Sequence, residues 1–280
     1  MRIFITTMMF LIGVAYAEKF SGGLRLGYGS TTQQYDTAGK AQDLNGTASV
    51  LNLGLNAKYY ILSPEVGPKV YAGLDFNFSQ HQLSPKVGNS VSSGFSPQYL
   101  NLLFGGSYLF FNGFVGFQID LGPKADINKI ENSDRQNAVL VGLGTNVPFM
   151  AGLGDFHANF SYALTLESEE NNIKYDQGDQ LSFAVGGGYK FGLSEVASIS
   201  LGLDLIYRLK TEAKVGGNSV PNSSSSNFSI MPYLKYKTGP ISVWAKLGVA
   251  DEYGYYGFSL MGKNSPVTRL GITAGLNVSY

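Results

Sequence analysis

The sequence predicts an all-β membrane protein: a transmembrane antiparallel up-and-down β-barrel of about twelve strands, with long loops at one end and short turns at the other. Three observations predict it. Apolar residues recur at every second position in blocks of about ten residues, the period of a strand with two different faces. The stretches between blocks alternate long and short. No stretch beyond the N-terminus is apolar for the eighteen or so residues that a spanning helix needs. Yet hydrophobic residues make up 44% of the chain and charged residues only 14%, against about 25% charged in a soluble domain.

The blocks follow one another with the same grammar. The first sets Phe20, Leu24, Leu26 and Tyr28 against Ser21, Gly23, Arg25 and Gly27. The second sets Leu51, Leu53, Leu55, Ala57, Tyr59 and Ile61 against Asn52, Gly54, Asn56 and Lys58; the third sets Val70, Ala72, Leu74, Phe76 and Phe78 against Tyr71, Gly73, Asp75 and Asn77. The apolar faces continue with Leu100, Leu102, Phe104 and Tyr108, then Val115, Phe117, Ile119 and Leu121, then Val139, Val141, Leu143 and Val147. Next come Phe156 to Leu166, Leu181 to Phe191 and Ile199 to Leu209. The last three are Phe228 to Tyr236, Ile241 to Val249 and Leu270 to Tyr280. No window carries a helical period.

Connections 30–46, 80–96, 122–136, 167–178, 211–226 and 251–265 are long and polar; 62–68, 110–112, 148–154, 192–197 and 238–240 are short. Bacterial membrane barrels have long outer loops, short periplasmic turns and an even strand number. The face opposite the apolar one is rich in Gly, Ser, Asn and charge, which suits a wet lumen. Aromatics near block ends (Tyr28, Tyr59, Phe78, Tyr108, Tyr162, Tyr207, Tyr236) mark the two interfaces. A soluble barrel would turn its apolar face inward, and twelve strands enclose more space than side chains fill.

The chain ends in a strand with Thr273, Gly275, Val278 and Tyr280 spaced as polar-x-Gly-x-x-hydrophobic-x-aromatic. In this it resembles the bacterial outer-membrane β-barrel proteins, a porin-like class, without matching one subfamily. The resemblance covers the mature chain as architecture and about eight residues as motif. It implies a C-terminal sorting signal, insertion by the barrel assembly machinery, and lipid bilayer and lipopolysaccharide as surroundings. Phe is the commoner final residue in that class, so Tyr280 departs mildly from it.

At the other end, Arg2, the apolar stretch Ile3 to Val14 and Ala15-Tyr16-Ala17 read as a secretory signal peptide, residues 1–17, leaving 18–280 as the barrel domain. Cysteine is absent, so no disulfide or thiolate metal site forms. The formal net charge of zero argues against a nucleic-acid partner.

Few residues propose chemistry. His157 stands beside Asp155 and Ser161, a trio that could act as base, orienter and nucleophile; lumen lining is the plainer reading, near the periplasmic end where outer-leaflet lipid is out of reach. His81 opens an outer loop. Glu167, Glu169, Glu170, Asp176 and Asp179 form an acidic loop without EF-hand spacing. Gly186-Gly187-Gly188 precedes no helix and so is no phosphate loop. Tyr253, Tyr255, Tyr256 and Phe258 cluster in the last loop, as a binding surface or part of the outer girdle. No catalytic, cofactor or metal site is assigned.

Six inward charges fall near mid-height: Arg25, Lys58 and Lys246 as one basic arc, and Asp75, Asp120 and Asp204 away from it. Arg208 and Arg269 add charge near the outer mouth, Lys190 and Lys235 near the inner one. Opposed walls would set a field across a narrow passage; alternatively the groups pair and close it. The functional expectation is a narrow passive channel for small solutes with weak anion preference. The alternatives are a surface adhesin or ligand-binding barrel with a plugged lumen and, third, an outer-membrane lipid-modifying enzyme.

Overall fold

The computed structural model describes residues 20–63, 67–92, 94–121, 125–127, 130–132, 137–170, 172–251, 254–256, 258–267 and 270–279. The expected signal peptide, Arg269, Tyr253 and Tyr280 lie outside them. Twelve strands form the barrel: β1 Phe20–Tyr35, β2 Ala41–Leu62, β3 Lys69–Pro85, β4 Ser96–Tyr108, β5 Phe111–Asp120, β6 Ala138–Phe149, β7 Gly154–Thr165, β8 Gln180–Gly192, β9 Ala197–Lys210, β10 Ser225–Thr238, β11 Ile241–Lys246 and β12 Leu270–Ser279. Each pairs antiparallel with its neighbours in sequence, and β12 pairs with β1 from Ser21↔Ser279 to Ser30↔Leu270, closing the sheet. Closure leaves no backbone edge in the bilayer, where unpaired peptide groups are costly.

The apolar face points outward. Leu203 is 42% exposed and its neighbour Asp204 only 5%. Leu26, Leu74, Leu102, Leu143, Leu201 and Leu234 share the outward parity and exposure of Leu203. A band of this kind requires lipid around it.

Several strands run past the alternating blocks. β1 and β2 continue to the tight turn after Tyr35, where Asp36 Oδ1 accepts hydrogen bonds from the Ala38 and Lys40 amides at 2.8 and 2.9 Å. Above the bilayer the outward face meets water and is polar (Thr32, Gln34), and the inward face is polar too at Thr31 and Gln33, so the alternation that announces a strand fades while the ladder persists. Loops 167–178 and 211–226 also carry order. Ser168–Glu170, Ile173–Asp176, Lys214–Val215 and Asn218–Ser219 form a four-stranded sheet at the outer rim.

The eleventh block departs from its expected course through Val249. β11 stops at Lys246, and the Leu247 amide makes a further bond to the Pro232 carbonyl at 2.9 Å. Gly248 then takes φ +140°, a conformation that L side chains rarely adopt. Its carbonyl accepts a hydrogen bond from the lumen-facing Thr273 Oγ1 at 2.6 Å, which draws the chain inward. A hairpin pairing Val249–Asp251 with Gly254–Tyr256 follows and lies against β1, β10 and β12. Phe258–Lys263 then resumes the wall against the outer half of β10.

Candidate functional site: a charge-paired lumen over glycine beds

The lumen is organised by small residues beside large ones. On β2, Gly54 is in register with Arg25 of β1, and a Cβ on Gly54 would collide with the Arg25 side chain. The guanidinium therefore crosses β2 and reaches β3. Arg25 Nη2 donates to Asp75 Oδ1 and Oδ2 at 3.3 and 3.4 Å and to the Tyr99 hydroxyl of β4 at 3.5 Å. Glycine inside a strand commonly marks such a close approach.

A second network repeats the device on β7 to β11. Gly186 of β8 separates His157 from Asp204 in register, and a Cβ there would sit 2.7 Å from His157 Nε2. Across it His157 Nε2 meets Asp204 Oδ1 at 2.8 Å, and His157 Nδ1 meets Asp155 Oδ2 at 3.2 Å. Lys246 Nζ donates to Asp204 Oδ2 at 3.0 Å. The same ammonium stands 5.5 Å from the Tyr233 ring centre and 5.9 Å from that of Trp244. Tyr233 lies over Gly202 and reaches Gly188, while Trp244 lies over Gly275. Gly275, expected within the sorting strand, thus has a packing role as well.

The charges are paired, not arranged as opposed walls. Arg25 meets Asp75, and Lys246 meets Asp204. By strand number alone the basic and acidic groups fall on separate arcs; Gly54 lets Arg25 cross β2, whereas Lys246 reaches Asp204 past Met231 and Tyr233 of β10. Lys58 sits lower, its ammonium 4.5 Å from the Tyr71 ring centre. Asp120 ends β5 in register with Tyr99, and its amide bonds Asn137 Oδ1 at 3.3 Å. Thr273 holds Gly248, and Val278 pairs with Ile241 and Gly22.

The trio Asp155, His157 and Ser161 does not assemble. Both ring nitrogens of His157 face carboxylates. Four residues along an antiparallel strand span about 14 Å, which puts Ser161 out of reach. The acidic loop is likewise divided: Lys174 meets Glu167 at 3.2 Å, Lys214 meets Asp176 at 3.7 Å, and Asp179 Oδ1 accepts from the Thr165 amide at 3.0 Å. His81, still within β3, shares a hydrogen bond with Ser79 Oγ at 3.0 Å. Of the last-loop aromatics, only backbone pairing of Tyr255 and Tyr256 and of Phe258 is described.

Along the bore the two halves differ. In the outer half, Val50, Asn77, Ser79, Asn227 and Ser229 are buried although they face inward, so the wall of β2, β3 and β10 is sealed there. In the inner half, Asn112, Asn146 and Asn159, with Lys190, Lys235 and Lys237, are exposed on the same inward face. An open vestibule thus faces the short-turn end. The amides and the serine and glycine floor beside them carried no sequence signal beyond polarity.

No family model matches this chain, and no curated protein matches it by sequence. Solved structures do. The COG4313 outer membrane channel from Pseudomonas putida F1 superposes with a TM-score of 0.73 at 10% identity, covering 93% of this chain and 95% of that one. The β domain of the Bordetella autotransporter BrkA superposes with a TM-score of 0.58 at 10% identity, covering 93% and 99%. The fold is that of the bacterial outer-membrane β-barrels.

Proposed function

We propose that this chain is an exported outer-membrane channel that passes small solutes by diffusion and mildly prefers anions. One observation carries the preference. The inward carboxylates of the mid-height networks are engaged: Asp75 by Arg25, Asp204 by Lys246 and His157, and Asp155 by His157. Lys190, Lys235 and Lys237 face the vestibule with no ion-pair partner among the described residues. Uncompensated charge in a passage with low-dielectric walls raises the local counter-ion concentration. The superposition with a solved outer-membrane channel supports the same reading at the level of fold.

The sealed outer wall favours a second reading, a barrel that binds a ligand through its outer loops while its lumen stays shut. Single-channel recording of the refolded protein separates the two. The channel reading expects resolvable conductance, with a reversal potential in a salt gradient displaced toward that of chloride. Absence of conductance across repeated insertions would overturn it.

A further inference from the structure

We propose that the inner mouth of the bore is a binding site for a small, multiply charged oxyanion, of which inorganic phosphate is the simplest, formed by Lys190, Lys235 and Lys237 around Ser200. The inference rests on the channel reading only in requiring that the inner vestibule be wet.

The placement follows from register. Lys190 of β8 pairs with Ser200 of β9, and Ser200 pairs with Lys235 of β10. Two residues toward the short-turn end, on the same face, Ser198 pairs with Lys237, which pairs in turn with Ser242 of β11. Neighbouring strands lie about 4.8 Å apart, so Lys190 and Lys235 rise roughly 10 Å from one another with only a serine between. Their flexible stems can converge above it.

The floor is small and polar toward the short-turn end and aromatic toward mid-height. Ser198 and Ser242 are buried beside Lys237 and Gly192 adds no side chain, while Tyr233 covers Gly202 and Gly188 and Trp244 stands in register with Lys235. The charged groups nearest the patch are Asp155 and Lys246, committed to His157 and Asp204. Glu195 stands in the exposed turn below. Three ammonium groups thus share one wall with no carboxylate among the described residues bonded to them.

Like charges held in a confined mouth repel, and a divalent anion with several acceptor oxygens relieves that repulsion better than chloride. A phosphate group carries about 1.5 to 2 negative charges at neutral pH and offers three strong acceptors. The Ser200 hydroxyl supplies a neutral donor. Because all these side chains point into the lumen, the anion is a dissolved one; lipid headgroups meet the opposite face of the sheet.

Two measurements test the site on the full-length refolded protein. Line broadening of the phosphorus resonance of inorganic phosphate reads equilibrium binding, and block of chloride current by phosphate added from the short-turn side reads occupancy of the bore. Saturable binding is expected. It should weaken about tenfold or more in Lys190→Gln/Lys235→Gln/Lys237→Gln, since three charge-assisted contacts are lost. Lys174→Gln/Lys214→Gln at the outer rim should leave it unchanged. Heat-modifiable migration checks that each variant folds. Wild-type protein that binds no phosphate, or a triple variant that binds it as well as wild type, overturns the site. Conductance without a phosphate effect overturns the site alone; lysine-dependent binding without conductance overturns the channel reading and leaves the site standing.

Discussion

Arg25 and Asp75 stand on β1 and β3, two strands apart, and meet because Gly54 on the strand between them has no Cβ. The same relation holds for His157 and Asp204 across Gly186. Each pair therefore depends on a residue that takes no part in it.

Gly54→Ala should displace the Arg25 side chain and break its contact with Asp75. Overpacking of this kind costs about 1–3 kcal/mol. The loss should be read as a lowered midpoint of urea unfolding in vesicles. Arg25→Ala in the same background should restore part of it, because the colliding group is gone. Additive effects of the two changes would show that Gly54 and Arg25 do not interact.

Leu203→Arg should cost about 2–4 kcal/mol, because it puts a cation at the lipid-facing midplane. Asn159→Arg should cost little, because Asn159 faces the wet lumen. Asp204→Asn should fall between them. It is not a neutral control, since it strips Lys246 and His157 of their shared carboxylate. Equal costs for Leu203→Arg and Asn159→Arg would mean that the faces are inverted.

Gly275 separates assembly from packing. Deleting Val278 to Tyr280 should block insertion and expose the chain to periplasmic proteases, if the final strand is a sorting signal. Gly275→Ala should permit insertion but move Trp244, which lies over that position, with a change in tryptophan fluorescence. Normal assembly of the truncation would refute the sorting role; an unchanged spectrum in Gly275→Ala would refute the packing role.

The outer hairpin should loosen in acid. The Lys40 amide, then the Gln42 side chain, hold the Asp36 carboxyl below its ordinary value of 3.8. The Lys86 ammonium, then the Asn45 amide, do the same for Asp43. Both pKa values are depressed in the folded state, so the ordering they supply is present above the unfolded value and lost as pH falls through the folded one. A spin label at Thr37 should narrow its line shape below about pH 4. Asp36→Asn should be mobile at every pH. A wild-type spectrum that stays broad down to pH 2 would count against it.

What the sequence by itself determined is the wall. Strand period is a local property, so Leu201, Leu203 and Leu205 against Gly202 and Asp204 specify two faces without reference to any other strand. Loop lengths added the direction of the barrel in the same local way. The length of β1 to β3 above the bilayer was hidden, because the outward residues there meet water and are as polar as the inward ones. Only the tertiary structure decided which charges meet. Arg25 and Asp75 lie 50 residues apart and Asp204 and Lys246 lie 42 apart, and their contact depends on register and on what the intervening strand presents, Gly54 in the first case and Met231 and Tyr233 in the second. The inward turn at Gly248 depends likewise on Thr273 of a later strand. A one-residue slip in these ladders would turn a lumen residue toward lipid, so each contact exists only once its own strands have paired in register.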